Sequence, residues 1–375
     1  MKESVRNLTQ AGQSIWLDYI RRDMIENGEL AQLILEEGLR GMTSNPSIFE
    51  KAIAGGAHYN ALIDEANRRG GDANAVYESV VVRDIQDAAD LLHPVYEATD
   101  ARDGYVSLEV SPHLAHDTRG TLAEARRLWN MVDRPNLMIK VPGTKAGIPA
   151  MGELITEGIN VNVTLLFSRS AYNEVADTYV AAVERRVRKR ADVQRVASVA
   201  SFFVSRIDTA VDAALEKLAG KSADKKDAAL ALRGKIAIAN AKLAYQSYMQ
   251  RFTSERWKAL ATQGAQTQRV LWASTSTKNP QYRDVIYVEE LIGADTVNTL
   301  PPATFDAFRD HGVVRPSLIE DVVGAEQALA GLERIGISLD QITDRLLDEG
   351  LASFSDSFDK LLAAIAARVK TTVES

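Results

Sequence analysis

Short runs of apolar, β-branched residues alternate with longer amphipathic stretches along most of this chain, and few folds accept that alternation. Candidate strands cover residues 14–20, 39–44, 105–110, 137–141, 159–167, 196–204, 270–274 and 296–299. Amphipathic stretches lie between them, among them 77–93, 120–132, 170–187 and 227–248. Strand alternating with helix implies parallel βα units. Eight units predict a closed (β/α)8 barrel with additional C-terminal helices, and an open doubly wound sheet is the competitor. No Gly-x-Gly-x-x-Gly follows the first run, which weakens a dinucleotide-binding version of that sheet.

After Pro301-Pro302 the strand signals stop, and residues 302–375 read as a helical part packed on the barrel. Ser338-Leu339-Asp340-Gln341 is a candidate capping box. Leu351, Phe354, Phe358, Leu361, Leu362 and Ile365 fall on one helical face. There is no linker composition, internal repeat or low-complexity segment, so residues 1–375 are expected to form one domain.

Parity within the runs indicates what faces inward. In Ile159-Asn160-Val161-Asn162-Val163-Thr164 the odd positions are apolar and the even ones polar. Alternate residues of a strand point to opposite faces, and in a barrel one face meets the helices while the other lines the interior. Asn160, Asn162 and Thr164 are therefore expected to point inward. In Leu137-Met138-Ile139-Lys140-Val141, Lys140 shares a face with Met138. A lysine on a central strand is costly to bury unpaired. Desolvation also favours a free amine, which can attack a carbonyl. Read alone, Lys140 suits a strand end whose lysine reaches water. Its neighbours change that reading. Asp18 interrupts the first run, Thr43 and Asn45 end the second, Glu109 sits in the third and Ser201 in the sixth. Catalytic groups of βα barrels collect at the C-terminal ends of several strands.

The 375 residues are 46% apolar, ample for a large core. The formal net charge of −7 argues against a nucleic-acid partner, whose footprint is a basic field. There is no cysteine, and therefore no disulfide, thiolate metal site or cysteine nucleophile. No apolar run approaches the roughly 18 residues of a membrane span. The opening Met1-Lys2-Glu3-Ser4-Val5-Arg6-Asn7 lacks a signal-peptide core. The expectation is a soluble cytoplasmic protein with no membrane partner, its oligomeric state (monomer or homodimer) open.

The strand-end segments resemble the transaldolase family, in the same order from about Trp16 to Asn279. The most specific are Gly41-Met42-Thr43-Ser44-Asn45-Pro46-Ser47, Met138-Ile139-Lys140-Val141-Pro142 and Gly158-Ile159-Asn160-Val161-Asn162-Val163-Thr164-Leu165-Leu166-Phe167. Ser201-Phe202-Phe203-Val204-Ser205-Arg206-Ile207-Asp208 is a fourth. The length and Trp272-Ala273-Ser274-Thr275-Ser276-Thr277-Lys278-Asn279 resemble the longer bacterial branch. The resemblance implies a Schiff-base aldolase barrel without metal or organic cofactor. It implies transfer of a dihydroxyacetone unit from sedoheptulose 7-phosphate or fructose 6-phosphate to an aldose phosphate, in the non-oxidative pentose phosphate pathway. It assigns Lys140 as the Schiff-base lysine, Glu109 as the carboxylate acting with Thr164 through a water, and Asp18 as acid/base near the donor's C4 hydroxyl. Asn45, Asn162 and Ser201 match groups that hold the transferred unit, with Thr43 beside them. Phe203 matches an aromatic wall and Arg206 a phosphate ligand. Shorter members carry Ser-x-Arg-Asn after the seventh strand. Here Ser276-Thr277-Lys278-Asn279 offers a point charge in place of a planar fork, and Ser274 competes as the matching serine.

That chemistry needs these residue types. Breaking a C–C bond beside a ketone leaves a carbanion, and a protonated imine accepts its charge. Dehydration and hydrolysis of the imine need a proton shuttle. Three other readings compete: a simple fructose-6-phosphate aldolase, a metal-dependent aldolase or isomerase using Glu109, His113 and His116, and a non-catalytic sugar-phosphate binder. Gly143-Thr144-Lys145-Ala146-Gly147 lacks phosphate-loop spacing, although Lys145 is the main alternative amine. Arg185-Arg186-Val187-Arg188-Lys189-Arg190 reads as the solvated end of a helix.

Overall fold

The structure is a computed structural model, and it describes residues 4–55, 57–68 and 72–373. Of the opening segment Met1–Asn7, residues 1–3 thus lie outside the described residues. The eight expected strands are present as β1 (Gln13–Asp18), β2 (Gly41–Thr43), β3 (Tyr105–Glu109), β4 (Leu137–Pro142), β5 (Val161–Leu166), β6 (Ser198–Phe203), β7 (Arg269–Ala273) and β8 (Thr296–Leu300). Each pairs in parallel with its sequence neighbour, and β8 closes on β1. Helices cover the outside, so both faces of every strand are sheltered and nearly every strand residue is buried. No helix among the described residues is long and apolar enough to cross a membrane.

One end of the barrel is plugged by charge. Arg269 at the start of β7 reaches Asp103 at 2.8 Å and Ser14 of β1 at 2.7 Å, and Ser14 donates to Asp103 at 2.7 Å. All three are buried. This network fills the N-terminal end of the strands, leaving the C-terminal end as the place for a cavity.

Asn162 and Thr164 lie on β5 as parity requires. Asn162 donates to Ser107 of β3 at 3.1 Å, a reach past β4 that is open only through the interior. Asn160 precedes the strand. Its amide instead bonds the carbonyls of Pro135 and Leu137 and the amide N–H of Ala197, tying strand starts together. The alternation breaks after Thr164, because Leu165 takes a left-handed φ of 60° and the β5–β6 register shifts there. That conformation is rare for a bulky residue and concentrates at functional sites.

Two other expectations are corrected. The stretch 227–248 is two helices, Lys226–Leu230 and Ile236–Phe252. Gly234 separates them at φ +68°, where an added Cβ would meet the Tyr282 ring at 2.8 Å. The basic run is not wholly solvated, since Arg186 is buried. Its guanidinium donates to the carbonyl of Thr156, one that a helix end leaves unpaired, and to that of Asp192 in the segment before β6.

The part after β8 is helical as expected, with Pro302–His311, Val322–Arg334 and the C-terminal helix Leu339–Val373. Ser338 accepts from Gln341 N–H at 3.3 Å, the forward half of the capping box. Leu351, Phe354, Phe358, Leu361 and Ile365 are buried, and Leu362 is half-buried. This helix lies over the C-terminal end of the barrel. Ser357 meets Ser47 at 2.7 Å, Asp359 pairs with His113 at 2.8 Å, and Phe358 packs edge-on against Tyr77 at 5.4 Å.

Candidate active site

A cavity of about 390 Å³ opens at the C-terminal end of the barrel. Asp18, Thr43, Asn45, Lys140, Thr164, Ser201, Phe203, Arg206, Ser276 and Lys278 line it. Glu109 and Asn162 stand just behind its wall, each bonded or paired to a lining residue. Strands β1 to β6 and the segments after β2, β6 and β7 contribute these groups, as expected of the βα-loop face of such a barrel.

Lys140 is buried, at 4% exposure. Its strand register sets it opposite Glu109 on β3 and Asn162 on β5. The ammonium lies 3.2 Å from Glu109 Oε2 and donates to the carbonyl of Ser44 at 3.0 Å. The strand-end reading, in which this lysine reaches water, is thereby set aside. Burial pushes the Glu109 carboxyl above its ordinary range, and the Lys140 charge opposes that shift. Neither Glu109 oxygen, nor Thr164 Oγ1, accepts or makes a hydrogen bond of good geometry among the described residues.

Asp18 ends β1 beside Thr43, its register partner on β2. Thr43 donates to Asp18 at 2.7 Å and shares a 2.7 Å contact with Thr299 of β8. Burial raises the Asp18 pKa, while the Lys140 charge, the Thr43 hydrogen bond and the Arg206 charge pull it down. Ser201 donates to Asn162 at 2.6 Å, and Asn162 donates on to Ser107, a fixed polar floor. Asn45 serves two ends. Its side chain accepts from Ile48 N–H at 3.0 Å, capping the helix Pro46–Gly55, and it still lines the cavity. Asn45 thus starts this helix and stays in the site.

The mouth is cationic. Arg206 stacks over Phe203 at 5.5 Å, and Lys278 donates to Ser276 at 2.6 Å. Burial lowers the Lys278 pKa, and the Arg206 and Lys51 charges lower it further, so these three cations share one field. Among the described residues none of them forms a salt bridge within 4 Å. Ser274 also lines the cavity, but it has a left-handed φ of 56° and its hydroxyl meets Ser205 at 3.1 Å. Lys145 is exposed at the surface, away from these groups. His113 and His116 are exposed as well. They do not converge with Glu109, and no group of three or more metal-binding side chains occurs among the described residues.

The family model for transaldolase/fructose-6-phosphate aldolase matches residues 15–365. The chain belongs to that family. Within the transaldolases, it is 50% identical over 368 residues to Transaldolase 2 of Nostoc punctiforme, covering 97% of each chain. It is 49% identical to the transaldolase of Thiobacillus denitrificans, over 96% of this chain and 99% of that one. The transaldolase of Trichodesmium erythraeum is 48% identical over 96% of each.

Sequence reasoning missed several lining residues of this transaldolase-family site. Lys51 is the single lysine of the helix Pro46–Gly55, and nothing local distinguishes it from an ordinary surface lysine. Thr299 lies near the end of β8 and completes the hydroxyl chain to Asp18. Phe354 comes from the C-terminal helix, and its ring faces the Lys140 ammonium at 5.7 Å. In the sequence it was one member of an apolar stripe, and nothing local distinguishes it from core.

Proposed function

We propose that this cavity transfers a dihydroxyacetone unit between sugar phosphates through a Schiff base on Lys140. One observation carries the reading: a buried lysine amine held 3.2 Å from a buried carboxylate, inside a cavity with a second carboxylate, Asp18, and unpaired cations at its mouth.

The roles follow from the geometry. The Lys140 amine attacks the donor ketone, and the carbinolamine loses water to give the imine. Glu109 shuttles the protons of that step. Its unbonded oxygens and Thr164 Oγ1 are the partners a bridging water would satisfy, and buried polar groups are rarely left unpaired. Asp18 takes the proton from the C4 hydroxyl as the C3–C4 bond breaks. The electron pair moves to the iminium nitrogen and leaves an enamine. Asn45, Asn162 and Ser201 hold its hydroxyls until an acceptor aldehyde arrives, and Phe203 walls the site. The bond then forms in reverse, Asp18 returns its proton to the new alkoxide, and water releases the product. Arg206, Ser276 and Lys278 bind the phosphate. The Lys278–Ser276 contact supports Ser276 over Ser274 as the serine of that loop. The whole chain 1–375 acts as one domain in the cytoplasm, a reading supported by its acidic, cysteine-free composition.

Borohydride reduction in the presence of fructose 6-phosphate, followed by peptide mapping, tests this. A single adduct on Lys140 is expected, with Lys140→Ala and Lys140→Arg lacking both adduct and transfer. An adduct on Lys145, or transfer surviving in Lys140→Ala, refutes the assignment.

A further inference from the structure

An aromatic residue of the C-terminal helix faces the amine and has no role in the chemistry above. Phe354 is 4% exposed and lines the catalytic cavity. Its ring centroid stands 5.7 Å from Lys140 Nζ, within the range at which a cation is attracted to an aromatic face. Of the apolar stripe on the C-terminal helix, Phe354 is the member that lines this cavity. Leu351, Phe358, Leu361 and Ile365 are buried in packing.

The helix is held where Phe354 needs it. Ser357–Ser47, Asp359–His113 and Phe358–Tyr77 fix the turn that follows. On the preceding turn, Gly350 lets the helix approach the rim, since a Cβ there would sit 3.0 Å from Leu165 and 3.7 Å from Arg206. Leu165 is the left-handed residue directly after Thr164. The helix is thus held close to the rim, with the Phe354 ring facing the amine.

We propose that Phe354 is the cover of the Lys140 adduct, and that it decides whether the bound three-carbon unit is transferred or lost to water. The inference rests on the Schiff-base reading. Loss requires two additions. The enamine carbon takes a proton and becomes an iminium. A water oxygen then adds to the iminium carbon, the C–N bond breaks, and Lys140 leaves as the free amine while the carbonyl of dihydroxyacetone forms. An apolar ring over the nitrogen blocks the approach of that water. Its π face also favours the cationic imine over the uncharged carbinolamine that water addition produces. The polar groups in contact with the amine, Glu109 and the Ser44 carbonyl, attract water, and the ring that faces the amine is that of Phe354, so the shielding there falls to it.

The test is the ratio of free dihydroxyacetone released to units transferred, with fructose 6-phosphate as donor and erythrose 4-phosphate as acceptor. Wild type, Phe354→Leu and Phe354→Ala are compared, with circular dichroism to check folding. The ratio is expected to rise about threefold in Phe354→Leu, which keeps bulk without π character. It should rise about tenfold in Phe354→Ala, the scale of one desolvated cation–π contact plus an opened path for water. If Phe354→Ala does not fold, Phe354→Leu decides alone. An unchanged ratio in the folded variants overturns the proposal. Absence of a Lys140 adduct in wild type would instead refute the Schiff-base reading beneath it.

Discussion

Lys140 and Glu109 are register partners on neighbouring strands, and their charged ends meet 3.2 Å apart inside the cavity. Asp18 approaches the same amine from the other side of the barrel, and its pKa feels the Lys140 charge. One amine between two carboxylates of different surroundings allows two proton-transfer steps to be separated.

Glu109→Gln and Asp18→Asn should therefore fail at different steps. Each keeps shape and removes a proton acceptor, at an expected cost of about 10²- to 10⁴-fold in rate. The Glu109 variant should accumulate little borohydride-trapped adduct. The Asp18 variant should form adduct with fructose 6-phosphate and then stall before cleavage. Mass spectrometry of the trapped protein reads both, and equal yields would contradict the division.

The acid limb of kcat/KM should lie above the ordinary aspartate range. Cleavage needs Asp18 ionised, and burial raises its pKa, so activity is lost as pH falls through that raised value. The Thr43 hydrogen bond favours the charged form. Thr43→Val should move the limb to higher pH and leave the alkaline side in place. A limb that stays put or moves down would remove Asp18 from the role of base.

At the phosphate end, Arg206→Ala should lower kcat/KM for fructose 6-phosphate by about 10- to 100-fold, the worth of charge-assisted hydrogen bonds to an anion. Lys278→Ala and Lys51→Ala should each cost less, because a lysine offers a point charge. All three should narrow the preference for fructose 6-phosphate over fructose. An intact preference in Arg206→Ala would show that the phosphate binds elsewhere.

Stability should carry a pH signature from Asp208. Burial pushes its pKa up to about 6, although the Ala237 N–H and the Tyr287 hydroxyl hydrogen-bond it. The folded state then holds a proton that the unfolded state has released, so stability is fullest below pH about 4 and falls as pH rises toward 6. Asp208→Asn should flatten that fall by up to about 3 kcal/mol, the free energy of a two-unit shift. Asp84, also raised to about 6, would keep part of the slope. Urea unfolding of both proteins across this window measures the difference. An identical slope in the two would show that Asp208 ionises freely when folded.

Much of this was legible because buried parallel strands leave a strong signal. A polar residue such as Lys140 or Asn162 stands out against an apolar run, and period-two alternation says which way it points. Helical contributions were harder. Phe354 and Lys51 look locally like an ordinary core residue and an ordinary surface residue, and only packing between distant segments gives them a place in the cavity. Arg186 was misread because a run of like charges hides one that turns inward to cap carbonyls. The break at Gly234 was missed because amphipathic character continues across it, while the left-handed turn depends on a single glycine.

The hydroxyl chain that supports Asp18 has a consequence for how the molecule acquires activity. Thr43 and Thr299 are 256 positions apart in the sequence and meet across β1, the strand on which β8 closes the barrel. Contacts of such long separation carry the largest loop-closure entropy and form late. A partly assembled chain could hold Lys140 and Glu109 side by side, since they lie on adjacent strands, and still lack an oriented Asp18. During refolding, competence to trap an adduct should therefore return before competence to cleave the sugar, so that catalysis itself reports the moment of barrel closure.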